Sequence, residues 1–477
     1  MNRLLHIFLL CCLVTSVRAI DVAGTLLTGS TMRHASVGVH IVDVDTREVV
    51  ASYQADKALS PASVVKVLTA ATILECYPDT TRWYTTMGYD GTRSDSVLQG
   101  NIIVRGAADP ALAHDKMQQS RTALLDAMVA AVERAGIKRV EGDIIVDASI
   151  CAMDINGSWM LEDVGHAYGA SCYGLNYCGN EYKLYLRTGA VGSRPHIIGE
   201  SDYIYPIEHH NYLTVDTDDT SLVQSMPYAD DCYLWGTVPQ MRDSFELKCA
   251  VPDPPALLAY DLRNALLAAD IAVSGQAVTH RDCIDKGRAV PVWHTHLYTH
   301  ASLPLYPMLR YMMHRSNNLY AEAMLAYIGL SQDSVARSEQ SLQTMCAMWR
   351  DRGLDVNGLK LYDGSGLSRK NLMTPRFMAS LLVEAYHDSR LGQDFVNLFP
   401  RAGREGSVRS FFAKNPLPGV LRVKSGSMGG VLCYAGYYTY RNKTYAVVLM
   451  SNNHTCKASE VRRRYEKLLR DLWAAKK

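Results

Sequence analysis

The chain has 477 residues, 48% apolar and 20% charged, a balance that fits a folded protein with more than one core and excludes long disorder. Its 49 basic and 48 acidic residues nearly cancel, so no net field marks it as a partner for nucleic acid. No internal repeat or low-complexity tract is present.

The amino terminus reads as a signal peptide. Arg3 supplies the positive start, residues 4–14 are apolar except for His6, and Val17-Arg18-Ala19 places a small residue at a cleavage site. The stretch is short for a spanning helix, which favours cleavage after Ala19 over an uncleaved anchor. Removing residues 1–19 takes away Arg3 and Arg18 and no acid, leaving 47 basic and 48 acidic residues. No later segment is long and apolar enough to span a bilayer, so the mature chain is expected to be exported. Ten of the 12 cysteines remain, an even number that permits disulfides in an oxidising compartment. Cys172 with Cys178, and Cys232 with Cys249, are the nearest pairs; spacing leaves the connectivity open. The absence of C-x-x-C argues against a zinc site built on such a pair.

A strand pair follows. Val37, Val39 and Ile41 alternate, Asp45-Thr46 turns, and 49–53 returns. Pro61 then opens a helix carried by Val64, Val65, Val67, Leu68, Ala71, Ile73 and Leu74. From 77 to about 290 strand-like runs (101–104, 143–146, 182–186, 203–207) alternate with loops, broken by helices at 122–135 and 256–269. Helices return at 305–313, 320–328, 338–352 and 375–386, followed by strands at 431–440 and 444–450. A terminal amphipathic helix (Val461, Tyr465, Leu468, Leu469, Leu472) carries Arg462, Arg463 and Arg464, read as a solvated basic face. The expected organisation is one α/β domain, residues 20–76 and 295–477, interrupted by a β-rich insertion over 77–294.

Three short motifs carry the chemistry. Ser63-Val64-Val65-Lys66 is S-x-x-K on a helix, where a spacing of three places both side chains on one face. A serine hydroxyl is a weak nucleophile until a base takes its proton. Lysine does this only when neutral, and at its free pKa roughly one molecule in two thousand is neutral at pH 7. The site must therefore lower that pKa by about three units, through burial and a nearby positive charge. Ser316-Asn317-Asn318 precedes a helix, where N-capping is the plain explanation. Lys424-Ser425-Gly426-Ser427 precedes the strand at 431 and reads singly as a polar turn. Each motif alone is weak.

Together, and in this order, they are the set of class A β-lactamases and penicillin-binding proteins. The long insertion between the first two motifs narrows the resemblance to D-alanyl-D-alanine carboxypeptidase/endopeptidases of the penicillin-binding-protein-4 type. The segments Gly100-Asn101-Ile102-Ile103-Val104-Arg105-Gly106-Ala107-Ala108-Asp109-Pro110, Gly142 through Asp147, and Asp363-Gly364-Ser365-Gly366-Leu367-Ser368-Arg369 also look like that family's. The match spans most of the mature chain. It implies a penicillin-binding-protein/β-lactamase-like transpeptidase domain, an antiparallel sheet flanked by helices, with the β-rich insertion after the S-x-x-K helix.

The resemblance implies roles as well. Ser63 attacks a D-Ala-D-Ala peptide, Lys66 takes its proton, and Ser316 relays a proton towards the leaving amine. Asn318 holds Lys66 and the substrate amide, and Lys424 supplies a positive field that lowers the Lys66 pKa. Ser425, Gly426 and Ser427 line the site of the terminal carboxylate, with the N–H groups of Ser63 and Ser427 as oxyanion hole. Trp159 and Asp163 resemble a W-x-x-x-D segment whose acid faces the side-chain amine of a diaminopimelate peptide, and Arg369 is a related position. Peptidoglycan peptides are the implied substrates, β-lactams the covalent inhibitors and the periplasm the location, with no cofactor or metal.

The alternatives at this level are a β-lactamase or esterase on the same fold, and a catalytically silent binding protein. No counterpart of the class A deacylating glutamate is evident, and a binding role does not require all of Ser63, Lys66, Ser316, Asn318 and Lys424. The cluster His294, His296 and His300 suits a metal only weakly, and Asn156-Gly157-Ser158 is a glycosylation sequon only in a source that glycosylates. Oligomeric state, a homodimer included, is open.

Overall fold

The structure, a computed structural model, describes residues 21–201 and 206–474. The expected signal peptide lies outside them, as does most of the strand expected at 203–207; the described chain resumes with a strand at Glu208–Asn211.

Five antiparallel strands form the central sheet: β1 (Ser36–Asp43), β2 (Val49–Tyr53), β3 (Val420–Met428), β4 (Val431–Tyr440) and β5 (Lys443–Asn452), in the order β2-β1-β5-β4-β3. Side chains on a strand alternate between faces. In β5, Ala446, Val448 and Met450 therefore join a helical core on one side. Tyr445, Val447 and Leu449 meet the terminal helix on the other. Both faces being covered, β5 is buried from Thr444 onward.

The helical layer is built around α1 (Val65–Cys76), in which every residue from Val65 to Ile73 is buried. A helix apolar on all sides needs neighbours on all sides. These come from α2 (Leu305–Arg315), α3 (Asn318–Leu330), α4 (Ser338–Asp351) and α5 (Pro375–His387). The buried hydroxyl of Thr72 is satisfied by Trp349, whose indole N–H donates to it at 2.8 Å. The last helix, α6 (Ala458–Ala474), buries Val461, Tyr465, Leu468, Leu469 and Leu472 as its spacing predicts. Of its three consecutive arginines only Arg463 is exposed; Arg464 pairs with Glu460 at 2.9 Å and reaches Thr28.

Between α1 and α2 the chain makes separate sheets with their own core. One sheet runs Ala277–Thr279, Ile144–Asp147, Ile102–Arg105, Tyr84–Tyr89, Thr295–Ala301 in spatial order. The first and last of its strands in the sequence, Tyr84–Tyr89 and Thr295–Ala301, pair antiparallel, so the chain leaves and re-enters the helical layer side by side. The helices Arg121–Arg134 and Pro254–Ala268 fill this core.

Lys424 to Ser427 lie within the edge strand β3, so the K-S-G motif stands on a strand of its own ahead of β4 and the turn reading falls. The flanking Leu421 and Val423 are buried strand residues, and the polar motif continues their extended backbone along the sheet edge. All ten cysteines of the described chain are free thiols.

Leu68 is fully buried at the centre of α1. Leu68→Ala is expected to cost about 2–5 kcal/mol, measured as a lower urea midpoint with the m-value unchanged.

Candidate active site

The site forms where α1, the α2–α3 junction and the edge strand β3 converge. Ala62 has a left-handed backbone (φ +46°), which ends the incoming chain sharply and sets Ser63 on a single 3-10 turn before α1. Lys66 sits on the first turn of α1, with its Nζ 3.0 Å from Ser63 Oγ. Ser316 also has a left-handed conformation (φ +57°), closing α2, and the Asn317 side chain accepts the Tyr320 N–H to start α3. The capping explanation is thus correct for Asn317. Its neighbours Ser316 and Asn318 are left to face the site.

Two glycines allow the elements to approach. A Cβ on Gly426 would lie 2.5 Å from the Pro61 carbonyl and 3.0 Å from Ser63 N, so β3 can touch the Ser63 turn only with glycine there. Gly366 has φ +82°, and a Cβ there would lie 2.0 Å from the Ala62 carbonyl.

Lys66 is completely buried. Its amine meets Ser63 Oγ at 3.0 Å, Asn318 Oδ1 at 2.7 Å and the Ser365 carbonyl at 2.5 Å. The Asn318 amide is oriented by its other end, which donates to the Tyr168 carbonyl at 2.8 Å. Asn318 Oδ1 and the Ser365 carbonyl can only accept. When Lys66 is neutral its two N–H bonds therefore go to these two oxygens, and its lone pair faces the one group able to donate, the Ser63 hydroxyl.

Burial lowers the Lys66 pKa to about 7, while the nearby carboxylates of Asp363 and Glu322 oppose the shift. Lys424 is also fully buried, donating to Ser316 Oγ at 2.8 Å and to its neighbour's carbonyl, Ser425 O, at 2.5 Å. Burial, and then the charge of Lys66, push its pKa well below the ordinary value. Loss of water is thus the principal cause of the depressed lysine, and the repulsion between the cations falls on Lys424.

The remaining expected residues are placed less uniformly. Gly426 is against Ser63, the Ser425 hydroxyl bonds to Ser407 Oγ at 2.7 Å, and Ser427 is exposed at the strand edge. Asp163 is buried and accepts the Tyr168 hydroxyl at 3.0 Å, three hydrogen bonds from Lys66 by way of Tyr168 and Asn318. Arg369 is partly exposed and pairs with Glu162 at 3.2 Å, so its guanidinium is already engaged. An open cleft of about 590 Å³ runs from Ser316, Asn317 and Asn318 past Tyr168 to Phe245 and Lys248 of the insertion.

Sequence reasoning missed two contributors. Ser407 comes from a loop with no motif. The Ser365 carbonyl is backbone, but Asp363 carried the signal for it. The buried Asp363 carboxylate accepts the Gly366 and Ser368 N–H groups, the Asn371 amide at 2.8 Å and the Trp159 indole at 2.8 Å. That set folds the Asp-Gly-Ser-Gly-Leu-Ser segment beneath Lys66. His294, His296 and His300 do not converge; among the described residues the metal-ligand type atoms within reach of one another are those of Glu208, His210 and Asp231 on the insertion.

A family model described as D-Ala-D-Ala carboxypeptidase 3 (S13) matches residues 19–474. The chain belongs to this family. It is a serine-type D-Ala-D-Ala carboxypeptidase of the S13 family. The D-alanyl-D-alanine carboxypeptidase DacB of Haemophilus influenzae is 25% identical over 441 residues, which covers 90% of this chain and 88% of that protein. A D-alanyl-D-alanine carboxypeptidase of an Actinomadura species is 25% identical over 446 residues, covering 90% and 80%. The crystal structure of penicillin-binding protein 4 from H. influenzae superposes with a TM-score of 0.80 at 23% identity, over 95% of this chain and 98% of that one. A second structure of that protein, TM-score 0.76, is a complex with a β-lactam. The chain thus shares the fold of penicillin-binding protein 4 over nearly its whole length.

The Trp159–Asp363 bond ties the insertion to the segment under Lys66. Trp159→Phe keeps the bulk but removes one donor from a buried carboxylate. A loss of about 1–3 kcal/mol is expected, measured as a lower Tm by calorimetry.

Proposed function

We propose that the carboxypeptidase reaction runs through an acyl-enzyme on Ser63, with Lys66 as the general base. The observation that carries this is the Lys66 amine, buried at 3.0 Å from Ser63 Oγ, with its lone pair left to that hydroxyl. Lys66 takes the Ser63 proton as Oγ bonds to the carbonyl carbon of the penultimate D-Ala. The tetrahedral oxyanion is received by the N–H groups of Ser63 and Ser427. Lys424 and Ser316, 2.8 Å apart, pass a proton to the departing amine of the terminal D-Ala as the peptide bond breaks. Water then cleaves the Ser63 ester by the same proton route in reverse.

The terminal carboxylate is assigned to Ser425, Gly426 and Ser427 on β3, with Lys424 behind them. The hydroxyl pair of Ser425 and Ser407 supports this, since the two oxygens offer an anion donors from one direction. Asp163 and Arg369 are assigned to the stem peptide's side-chain amine and its carboxylate. The Arg369–Glu162 pair is exposed on both sides and opens at small cost. The cleft beyond Ser316 leaves room for a larger leaving group, which favours D,D-endopeptidase action on cross-linked peptidoglycan as well. β-Lactams are covalent inhibitors in this reading, supported by the β-lactam complex of the H. influenzae protein. No described helix is long and apolar enough to cross a membrane, and the expected signal peptide directs the chain to the periplasm.

The mature protein incubated with a fluorescent penicillin is expected to gain one adduct by intact mass and to hold it, and Ser63→Ala is expected to gain none. Rapid turnover of the drug would point to a β-lactamase instead. Digestion of purified muropeptides then separates loss of a terminal D-Ala from cleavage of a cross-link.

The base assignment also fixes a pH dependence. The reactive form is neutral Lys66, whose pKa lies at about 7, so neutral amine accumulates above that value and disappears below it. Acylation rate should rise through pH 7 and fall about tenfold for each unit below it. A rate flat from pH 5 to 8 would remove Lys66 as the base.

A further inference from the structure

One buried acid near Lys66 has no part in the proton path just described. Glu322 lies four residues after Asn318 on α3, one turn further along the same face. Its two oxygens accept two successive backbone N–H groups, Gly364 at 3.3 Å and Ser365 at 2.8 Å. The carbonyl of that same Ser365 accepts the Lys66 amine at 2.5 Å. The residue is closely fitted there: a Cβ on Gly364 would lie 2.9 Å from the Ala321 carbonyl and 2.9 Å from Leu325 Cβ, so the segment presses directly on α3.

We propose that Glu322 is a positioning residue for acylation: it fixes the Gly364–Ser365 backbone so that the Ser365 carbonyl holds the Lys66 amine with its lone pair on Ser63. This rests on the reading of Ser63 and Lys66 given above. Helix α3 thereby grips Lys66 twice, directly through Asn318 and indirectly through Glu322 and Ser365.

Folding of the segment does not by itself call for this acid. Asp363 organises the downstream part with four donors, from Gly366, Ser368, Asn371 and Trp159, and through the Gly366 N–H it holds the peptide that carries the Ser365 carbonyl; Glu322 holds the peptide before it, through the Ser365 N–H. The carboxylate gives each N–H an oxygen of its own, Oε2 to Gly364 and Oε1 to Ser365, yet a carboxylate is costly here, since burial and the neighbouring Asp363 raise the Glu322 pKa. Groups held against such a cost cluster at functional sites.

The surroundings make the idea testable. A small pocket of about 50 Å³ lies behind the acid, lined by Glu322, Cys151, Cys172, Asp154, Trp159 and Ser341. The pocket has room for a water to stand in for the removed carboxylate, and Glu322→Ala is expected to fold.

The experiment uses the mature full-length chain and a fluorescent penicillin. A concentration series separates the non-covalent constant K from the acylation rate k2, with Tm measured alongside. For Glu322→Ala, k2 is expected to fall at least about tenfold, as small misplacements of a reacting group do, with K and Tm nearly unchanged. Glu322→Gln, which keeps one acceptor, is expected to recover part of k2, and it decides the matter alone if the alanine variant does not fold. Wild-type k2 in both variants overturns the proposal, as does a loss of K and Tm in step with k2. Failure of the wild-type protein to label at all would instead overturn the assignment of Ser63, and this inference with it.

Discussion

An amine taken out of water must have its hydrogen bonds replaced, and the replacements at Lys66 determine how the site works. Three oxygens surround its nitrogen, from Ser63, Asn318 and Ser365. They satisfy an ammonium fully, since it has three N–H bonds to give. They satisfy a neutral amine equally well, provided one of the three can donate in return, and only Ser63 can. Burial therefore does two things at once: it lowers the pKa to about 7, and it leaves the freed lone pair a single direction. The rest of the fold can be understood as what delivers those oxygens to one point.

That delivery depends on close backbone approach more than on side chains. β3 reaches the Ser63 turn because position 426 has no Cβ, and the Asp363 segment reaches it from below because position 366 has none. Left-handed residues at Ala62 and Ser316 turn the chain within a single residue before α1 and after α2. Non-glycine residues adopt that conformation at some cost and persist in it where the surroundings over-determine it. Here the buried α1 and the clamped α2–α3 junction do so.

Sequence patterns made the motif residues legible, because S-x-x-K, S-x-N and K-S-G name side chains with chemistry. They also gave the helices well: the apolar spacing of α1, α3 and α5 needs no tertiary information, and the cap at Asn317 marks a real start. The K-S-G strand was harder. Its polar residues do not alternate with apolar ones, so an edge strand reads as a turn. The Ser365 carbonyl was not legible at all, since a backbone acceptor is set by the φ/ψ path and leaves no residue type behind. Glu322 had a weak signal in its spacing of four from Asn318, but such a spacing on a helix is common and here gained meaning only from Gly364 and Ser365. Of the two causes expected for the lysine shift, burial is the one that acts on Lys66; the charges nearest it are the carboxylates of Asp363 and Glu322, which oppose the shift. A sequence counts charges but cannot count lost waters, and at Lys66 the lost waters dominate.

The insertion belongs to this same constraint. Trp159 donates to Asp363, and the Tyr168 carbonyl receives the amide of Asn318. Each contact orients a group that touches, or underlies, the Lys66 amine. An asparagine whose amide were free to rotate would present nitrogen as readily as oxygen to Lys66; fixed by Tyr168, it presents oxygen. The loop that lines the cleft therefore also orients the side chain that holds the Lys66 amine, the proposed base. A substrate that displaces Tyr168 would loosen Asn318, whereas one that fits beside it leaves the lone pair aimed at Ser63. Substrate fit and base orientation are in this way linked through one hydrogen bond at 2.8 Å, with the inserted region on one side of it and the catalytic helix on the other.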